Sequence, residues 1–494
     1  MSEGSRTPFL SRKARLAAVI LLGAALIAFI ALFHASRLNS RSPDKQGVAR
    51  QPSIFTRESV DLAAYRVGPG EQFQTVSEIA ERLQPGDIVE ITGDIADPFV
   101  LTRHGTREKP IVIRGRVRIV NGRIIRPKVK ASVGSGHAVI CRGDWNALEG
   151  LTITGATSDD WDEGTAIRQE SNNLVIRNCR ITGNKQGLYS AGDSGSTLIE
   201  FCEFESNGGV STKDSIMHSV YASPRRPGSL LTVRHCFFHD ATGGTYVKSR
   251  SPRNVIAYNW FENQSVAAVY LVDSSEPRDK KSPALYPMHS DIVGNVFLSS
   301  TAPGQPKWKT LHLGAESQEA AGTEGEFNVA HNLFLVSSDS TDPSAPVLVN
   351  GSVDRVRLYN NVFMGLGAAY FMPYQRGGLW EAPRTADFVR IRGSGEPILE
   401  GANNWVSTRA LQVPDFMRDT IVGSNPLFEG GFGFNYRPRK DSPLCGAGLW
   451  PLPEGQMIDL APEYEPQRGI PPDLKPKFRR KLTPPSIGPF EVRE

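Results

Sequence analysis

The sequence predicts an all-β solenoid in which short parallel strands wind into stacked coils, and three observations carry that prediction. A polar or small residue is followed two places later by a large apolar one seven times: Cys179/Ile181, Cys202/Phe204, Cys236/Phe238, Asn259/Phe261, Asn295/Phe297, Asn332/Phe334 and Asn361/Phe363. The anchors lie 23, 34, 23, 36, 37 and 29 residues apart, as expected for a coil of about two dozen residues carrying loops of variable length. Short β-branched runs such as "NLVIRNC", "LLTVRHC" and "RVRLYNN" precede most anchors, each bounded by Gly, Asn, Ser or Asp, and no convincing helical period interrupts them.

The elements follow in chain order. Residues 1–15 are expected to be a cytoplasmic N-terminus, and Leu16 to Phe33 is an uncharged apolar run about as long as a bilayer is thick, preceded by Arg12, Lys13 and Arg15. It reads as an uncleaved signal anchor, because the apolar core is long for a cleaved leader and the small pair Ala35-Ser36 comes only after Phe33 and His34. The expected arrangement is a single-pass inner-membrane protein with its bulk in the periplasm or outside the cell. Residues 34–58 form a polar linker and residues 59–430 the solenoid. At its start, "TVSEIAERLQPGD" pairs Thr75 with Glu78 in a capping box and sets Ile79, Ala80 and Leu83 on one face, which predicts a short helix over the first coil. Weaker copies of the repeat stand at "NALEGLTITG" and "GANNWV". Residues 431–494 are a closing segment that turns Pro-rich after Gly448 and wraps the outside.

Stacked coils with an Asn at one corner of each resemble the right-handed parallel β-helix of the pectate-lyase-like superfamily. In such a ladder each Asn side chain satisfies backbone groups that the corner would otherwise leave unpaired. Cys179, Cys202 and Cys236 occupy the same position in earlier coils. Parallel Cβ directions suit disulfide torsions poorly, so these residues are expected to be a buried thiol stack. No CxxC spacing suggests zinc.

The interior of so narrow a solenoid is filled, so chemistry must come from its outside. Four strand-like stretches in consecutive coils end in ionisable groups: "IMHSVY" with His218 and Tyr221, "TYVKSR" with Tyr246, Lys248 and Arg250, "AVYLVD" with Tyr270 and Asp273, and "TLHLGAE" with His312 and Glu316. Coils about 5 Å apart would bring these groups onto one sugar and its neighbours if all of them face outward. Strand parity is open, with Asp273 and His218 the first candidates to point inward.

The stretch "TYVKSRSPRNVIAYNWF" resembles the Lys-Ser segment and following Asn-x-Phe turn of alginate lyases and chondroitinase B in polysaccharide lyase family six. The resemblance implies that Lys248 is the base that removes the proton beside a uronate carboxylate. The family also carries acidic calcium ligands upstream and an arginine on the next coil. Here "HDATGGTYV" offers only Asp240, and "AAVYLVDSSE" has no arginine, so calcium is left open as a cofactor and no metal ligand is assigned.

β-Elimination needs a group to neutralise the carboxylate, a base, and an acid for the leaving oxygen. Lys248 or His218 would be the base, Arg250 the carboxylate partner, and Tyr221, Tyr246 or His312 the acid, with Tyr270, Asp273 and Glu316 binding the chain. The expected function is therefore a lyase acting on an acidic, uronate-containing polysaccharide. A uronate C5-epimerase shares the first step; Asp273 with Glu316 would serve a glycoside hydrolase; a non-catalytic glycan binder would use the cations and rings alone. The net charge of +4 over 494 residues excludes a nucleic-acid binder that works by bulk charge. The protein is expected to be a monomer.

Overall fold

Asn side chains fix the spacing of the coils. Asn259, Asn295, Asn332, Asn361 and Asn404 are fully buried, and each accepts at Oδ1 the backbone N–H of the ladder residue one coil earlier, at 2.9–3.0 Å. Each of these Nδ2 groups in turn donates to a main-chain carbonyl on the first-sheet strand of the preceding coil, at 2.8–2.9 Å. The residue just before the anchor lies in the left-handed region: Asn178, Phe201, His235, Tyr258, His331, Asn360 and Asn403 have φ between 51° and 61°. That conformation costs roughly 1–2 kcal/mol in a non-glycine residue. A ladder hydrogen bond contributes about 1 kcal/mol net, and leaving its buried partners unmade would cost more. The corner is thus held by the ladder rather than by local preference.

The computed structural model describes residues 63–493, apart from 132–135, 159–163, 193, 211–215, 225, 273–285, 302–309, 315–324, 339–345, 351–352, 368–374, 378–388, 393–396, 409–412 and 432. Within these, three long parallel sheets of 13, 11 and 11 strands form the walls of the solenoid. Each coil contributes one strand to each wall in turn, as Leu174–Arg177, Arg180–Thr182 and Gln186–Ser190 do for the first, second and third sheets. Phe204, Phe238, Phe261, Phe297, Phe334 and Phe363, the apolar halves of the repeat, stack inside with ring centroids 4.7–5.0 Å apart. One core runs from Val67 to Met417. Burying each such ring contributes about 1.5–3 kcal/mol. All five cysteines are free thiols, and Cys179 and Cys202 each accept or donate only weak sulfur contacts within the ladder.

Two expectations need correction or fall outside view. Glu78 does reach back to the Thr75 and Gln74 N–H groups at 2.8 and 2.9 Å, but the following turn is only a 3-10 helix, Ala80–Arg82. Gln84-Pro85-Gly86 ends it before an α-helical ladder can propagate. Val76, Ile79 and Leu83 still bury against the first coil. Among the described residues no helix is long and apolar enough to cross a membrane, and Leu16 to Phe33 lies outside them.

The Pro-rich tail is tied to the solenoid by a buried carboxylate. Asp291, on the first sheet and fully buried, accepts the backbone N–H groups of Gln456, Met457 and Ile458 at 3.0, 2.6 and 3.0 Å, and the Asn328 amide at 2.8 Å. Arg468 adds a two-pronged pair with Glu262 of the second sheet at 2.5 and 3.0 Å.

Candidate active site

The third sheet decides the parity that sequence left open. Its register aligns Tyr189, Tyr221, Lys248, Tyr270 and His312 on successive coils, each directly over the last. Their neighbours Leu188, Val220, Val247, Val269 and Leu311 are all fully buried in the core. Since side chains alternate along a strand, the five between them form one column on the outer face.

Contacts knit the column together. The Lys248 Nζ stands over the Tyr221 ring at 5.0 Å and the Tyr270 ring at 5.5 Å from the centroids, within cation–π range of both. Tyr270 stacks on His312 at 4.0 Å and Tyr221 on Tyr189 at 5.5 Å. Arg250, one residue beyond the strand Val247–Ser249, donates from Nε to the Tyr221 hydroxyl at 3.0 Å. Tyr221, Lys248, Arg250 and His312 are only 3–8 % exposed, so the column lies in a recess where charges interact more strongly than at an open surface.

The other candidates divide. His218 is buried next to Tyr221, with ring centroids 5.5 Å apart, and its Nδ1 accepts the Thr245 N–H at 3.1 Å. The neutral ring therefore carries its proton on Nε2, which makes it a donor and removes it as the base. Tyr246 is a correction. It is fully buried, packs on Phe238 and Phe261, and its hydroxyl donates to the Glu262 and Asn263 carbonyls inside the stack. It shares parity with Lys248 but precedes the strand, at the corner, where alternation does not apply. Burial first, then the charges of Asp240 and Glu262, hold its phenol above the usual range, so it neither binds substrate nor donates a proton. Asp273 and Glu316 lie outside the described residues.

Two members of the column were not expected from sequence. Tyr189 extends it one coil down, and Arg168 continues it below, with its guanidinium carbon 5.4 Å from the Tyr189 ring centre. The only signal was "GLYSAG", a short alternation of apolar and polar residues between glycines.

No carboxylate stands in the column from Ile140 to Leu348. Asp240, the acid that could have matched the calcium ligands, instead bonds His239 Nδ1 at 2.8 Å at the end of a second-sheet strand. Ligating side chains do converge at Glu203, Glu205 and His239, on that second sheet. They are already engaged: His239 with Glu203 at 3.2 Å, and Glu205 with Arg180. Burial acts to lower the His239 pKa, but Glu203 and Asp240 outweigh it and raise it, so this cluster holds a proton readily. The described residues of the column thus do not fit a calcium site.

Residues 119–283 match the family described as right handed beta helix region. The stack is a right-handed parallel β-helix. Similar solved structures include a pectate lyase, Pel9A (10 % identical, 88 % of this chain and 98 % of that one, TM-score 0.44). A family six polysaccharide lyase from Pseudopedobacter saltans is 15 % identical over 74 % of this chain and 92 % of that one, TM-score 0.41. An alginate lyase from Paenibacillus sp. is 12 % identical over 59 % of this chain and 95 % of that one, TM-score 0.37. No curated protein matches the chain.

Proposed function

We propose that this β-helix is a lyase that cleaves an acidic, uronate-containing polysaccharide by β-elimination, with the sugar chain lying along the third-sheet column. The observation that carries the reading is the convergence of Lys248 and Arg250 on Tyr221, inside a recessed strip flanked by the rings of Tyr189, Tyr270 and His312. Rings offer faces to sugars, and cations neutralise carboxylates.

Arg250 would pair with the uronate carboxylate and so stabilise the charge that develops when the adjacent C5 proton leaves. Lys248, as the free amine, takes that proton. The electron pair forms the C4–C5 double bond as the C4–O bond breaks, and the departing oxygen receives a proton from Tyr221 or His312. Tyr221 already accepts from Arg250, which orients its hydroxyl beside the carboxylate partner. Tyr270, Tyr189 and Arg168 would bind neighbouring sugars.

The test is a panel of alginate, pectate, glycosaminoglycans and bacterial exopolysaccharides, followed by ultraviolet absorbance and by reducing ends together. A lyase raises both signals; a hydrolase raises reducing ends alone; an epimerase or a binder raises neither. With the active polymer in hand, Lys248→Ala should abolish turnover and leave melting nearly unchanged, and retained turnover would remove Lys248 from the mechanism. We further propose that Leu16 to Phe33 anchors the protein in the inner membrane with the β-helix on the non-cytoplasmic side. Protease protection of residues 63–493 in spheroplasts would refute that placement.

A further inference from the structure

Arg118–Val120 and Arg123–Ile125 form a two-stranded antiparallel hairpin that is not part of the three walls. Asn121 and Gly122 connect the strands, with φ of 50° and 73°, the two-residue turn whose twist suits a hairpin. Two strands standing alone are marginal in water, and no residue of this hairpin belongs to the hydrophobic core. It nevertheless exposes large aliphatic side chains, Ile119 at 59 % and Val120 at 50 % next to the turn and Ile125 at 40 % opposite Arg118 at its base. Exposed apolar clusters of this kind mark contact surfaces.

Along the chain the charge around the hairpin is one-sided, with Asp94 reaching it only from another coil, where it accepts the Lys128 backbone N–H at 2.9 Å. From Arg114 to Lys130 there are seven cations, and no Asp or Glu occurs between Glu108 and Asp144. Arg116 is paired with Glu90 at 2.5 Å and Arg126 is buried on Asn178. Arg118, Arg123, Lys128 and Lys130 are exposed, and no ion pair among the described residues engages them. Lys128 and Lys130 lie on the terminal strand of the second sheet, at the N-terminal end of the stack.

We infer that this hairpin docks the N-terminal end of the β-helix onto an anionic phospholipid surface, its aliphatic tip entering the headgroup layer while the four cations meet lipid phosphates. The pairing of basic and aliphatic groups is what an interfacial element requires. An acidic polysaccharide would share the charge term, but sugar faces are gripped best by large aromatic rings, and no Phe, Tyr or Trp occurs between Val100 and Asp144. The inference is independent of the lyase reading.

The experiment uses the full chain with Val120→Cys and Cys445→Ser, carrying a polarity-sensitive fluorophore at position 120; the other four cysteines are buried. In vesicles of phosphatidylglycerol and phosphatidylcholine the emission should shift to the blue and become shielded from an aqueous quencher, and both changes should be lost in pure phosphatidylcholine. A label at Val422, 51 % exposed on the terminal strand at the opposite end of the second sheet, should show neither. Adding Arg118→Glu and Arg123→Glu should abolish the shift at position 120 with the circular dichroism spectrum unchanged. No shift at position 120 in anionic vesicles would overturn the inference. So would an equal shift at Val422, or the same shift with soluble alginate in place of lipid.

Discussion

Two columns of side chains climb the outside of the same solenoid and follow opposite rules. On the first sheet the register aligns Arg66, Glu90, Arg114, Glu149, Arg177, Glu200 and Arg234, alternating in sign at every coil. On the third sheet the aligned residues are Arg168, Tyr189, Tyr221, Lys248, Tyr270 and His312, cations and rings with no acid among them. Coil stacking imposes the same spacing of about 4.8 Å on both. At that distance the first column largely neutralises itself, each inner charge lying between two of opposite sign. The second places Lys248 over the faces of Tyr221 and Tyr270 and Arg168 over that of Tyr189, with Arg168 also paired to Glu170 at 2.6 Å just beyond the strand. A ladder completed by its own neighbours is architecture; one completed by rings and cations suits a ligand.

The largest expected effect lies in the second column. Lys248→Ala should lower turnover of the active polymer by about 10²–10⁴-fold, the usual contribution of a positioned proton-transfer group. Thermal melting should stay within about 2 °C, because the side chain lies outside the core. A large drop in melting temperature with activity retained per folded molecule would place Lys248 with the architectural column instead.

Glu200→Gln should do the reverse. Its carboxylate is 2 % exposed and lies between Arg177, at 2.6 Å, and Arg234, at 2.8 Å. Removing it leaves two cations without their shared acid, at a cost of about 3–5 kcal/mol in denaturant unfolding at neutral pH, with turnover per folded molecule unchanged. Burial acts to raise its pKa, but Arg234 and Arg177 outweigh it and hold it below the ordinary value of 4.5. A depressed folded pKa means stability that is present above the unfolded value and lost as pH falls through the folded one. The gap between wild type and Glu200→Gln should therefore narrow below about pH 4.5, as followed by urea midpoints.

A smaller change within the proposed site is Tyr221→Phe. The ring that faces Lys248 is kept, and the acceptor for Arg250 Nε is lost. A hydrogen bond to a charged group contributes about 1.5–3 kcal/mol, so kcat/KM should fall roughly 10- to 100-fold. Loss as complete as that of Lys248→Ala would make Tyr221 the proton donor rather than a positioning residue.

The solenoid was readable in sequence because its signal repeats: a corner that needs a ladder side chain needs it in every coil, and Asn259 to Asn361 announce it at each one. The column was readable only in part. Lys248, Tyr270 and His312 could be grouped because they fall on strands in consecutive coils, but Tyr246 looks the same in sequence and faces the core. What separates them is where the strand begins, at Val247, one residue after Tyr246, a boundary that residue type alone does not mark. Tyr189 and Arg168 were invisible because their strands carry a single distinctive side chain each. The alternation of charge on the first sheet was hidden for a different reason, since its members are about 23 to 35 residues apart and become neighbours only through loops of unequal length.

The smallest expected effect tests whether register or burial gives the first column its strength. Arg66 occupies the same column as Glu200 and is paired in register with Glu90, but its side chain is 62 % exposed and the charges stand 3.8 Å apart. Water screens such a pair, and Glu90 has a second, closer partner in Arg116 at 2.5 Å. Arg66→Ala should therefore change unfolding free energy by no more than about 0.5 kcal/mol, and moderate salt should erase even that. If it costs as much as Glu200→Gln, alternation along the column is itself the stabilising device and burial is incidental. If it costs nothing measurable, the column is strong only where Arg177, Glu200 and Arg234 are shut away from solvent. The third-sheet cations would then owe their chemical strength to their recess rather than to their alignment.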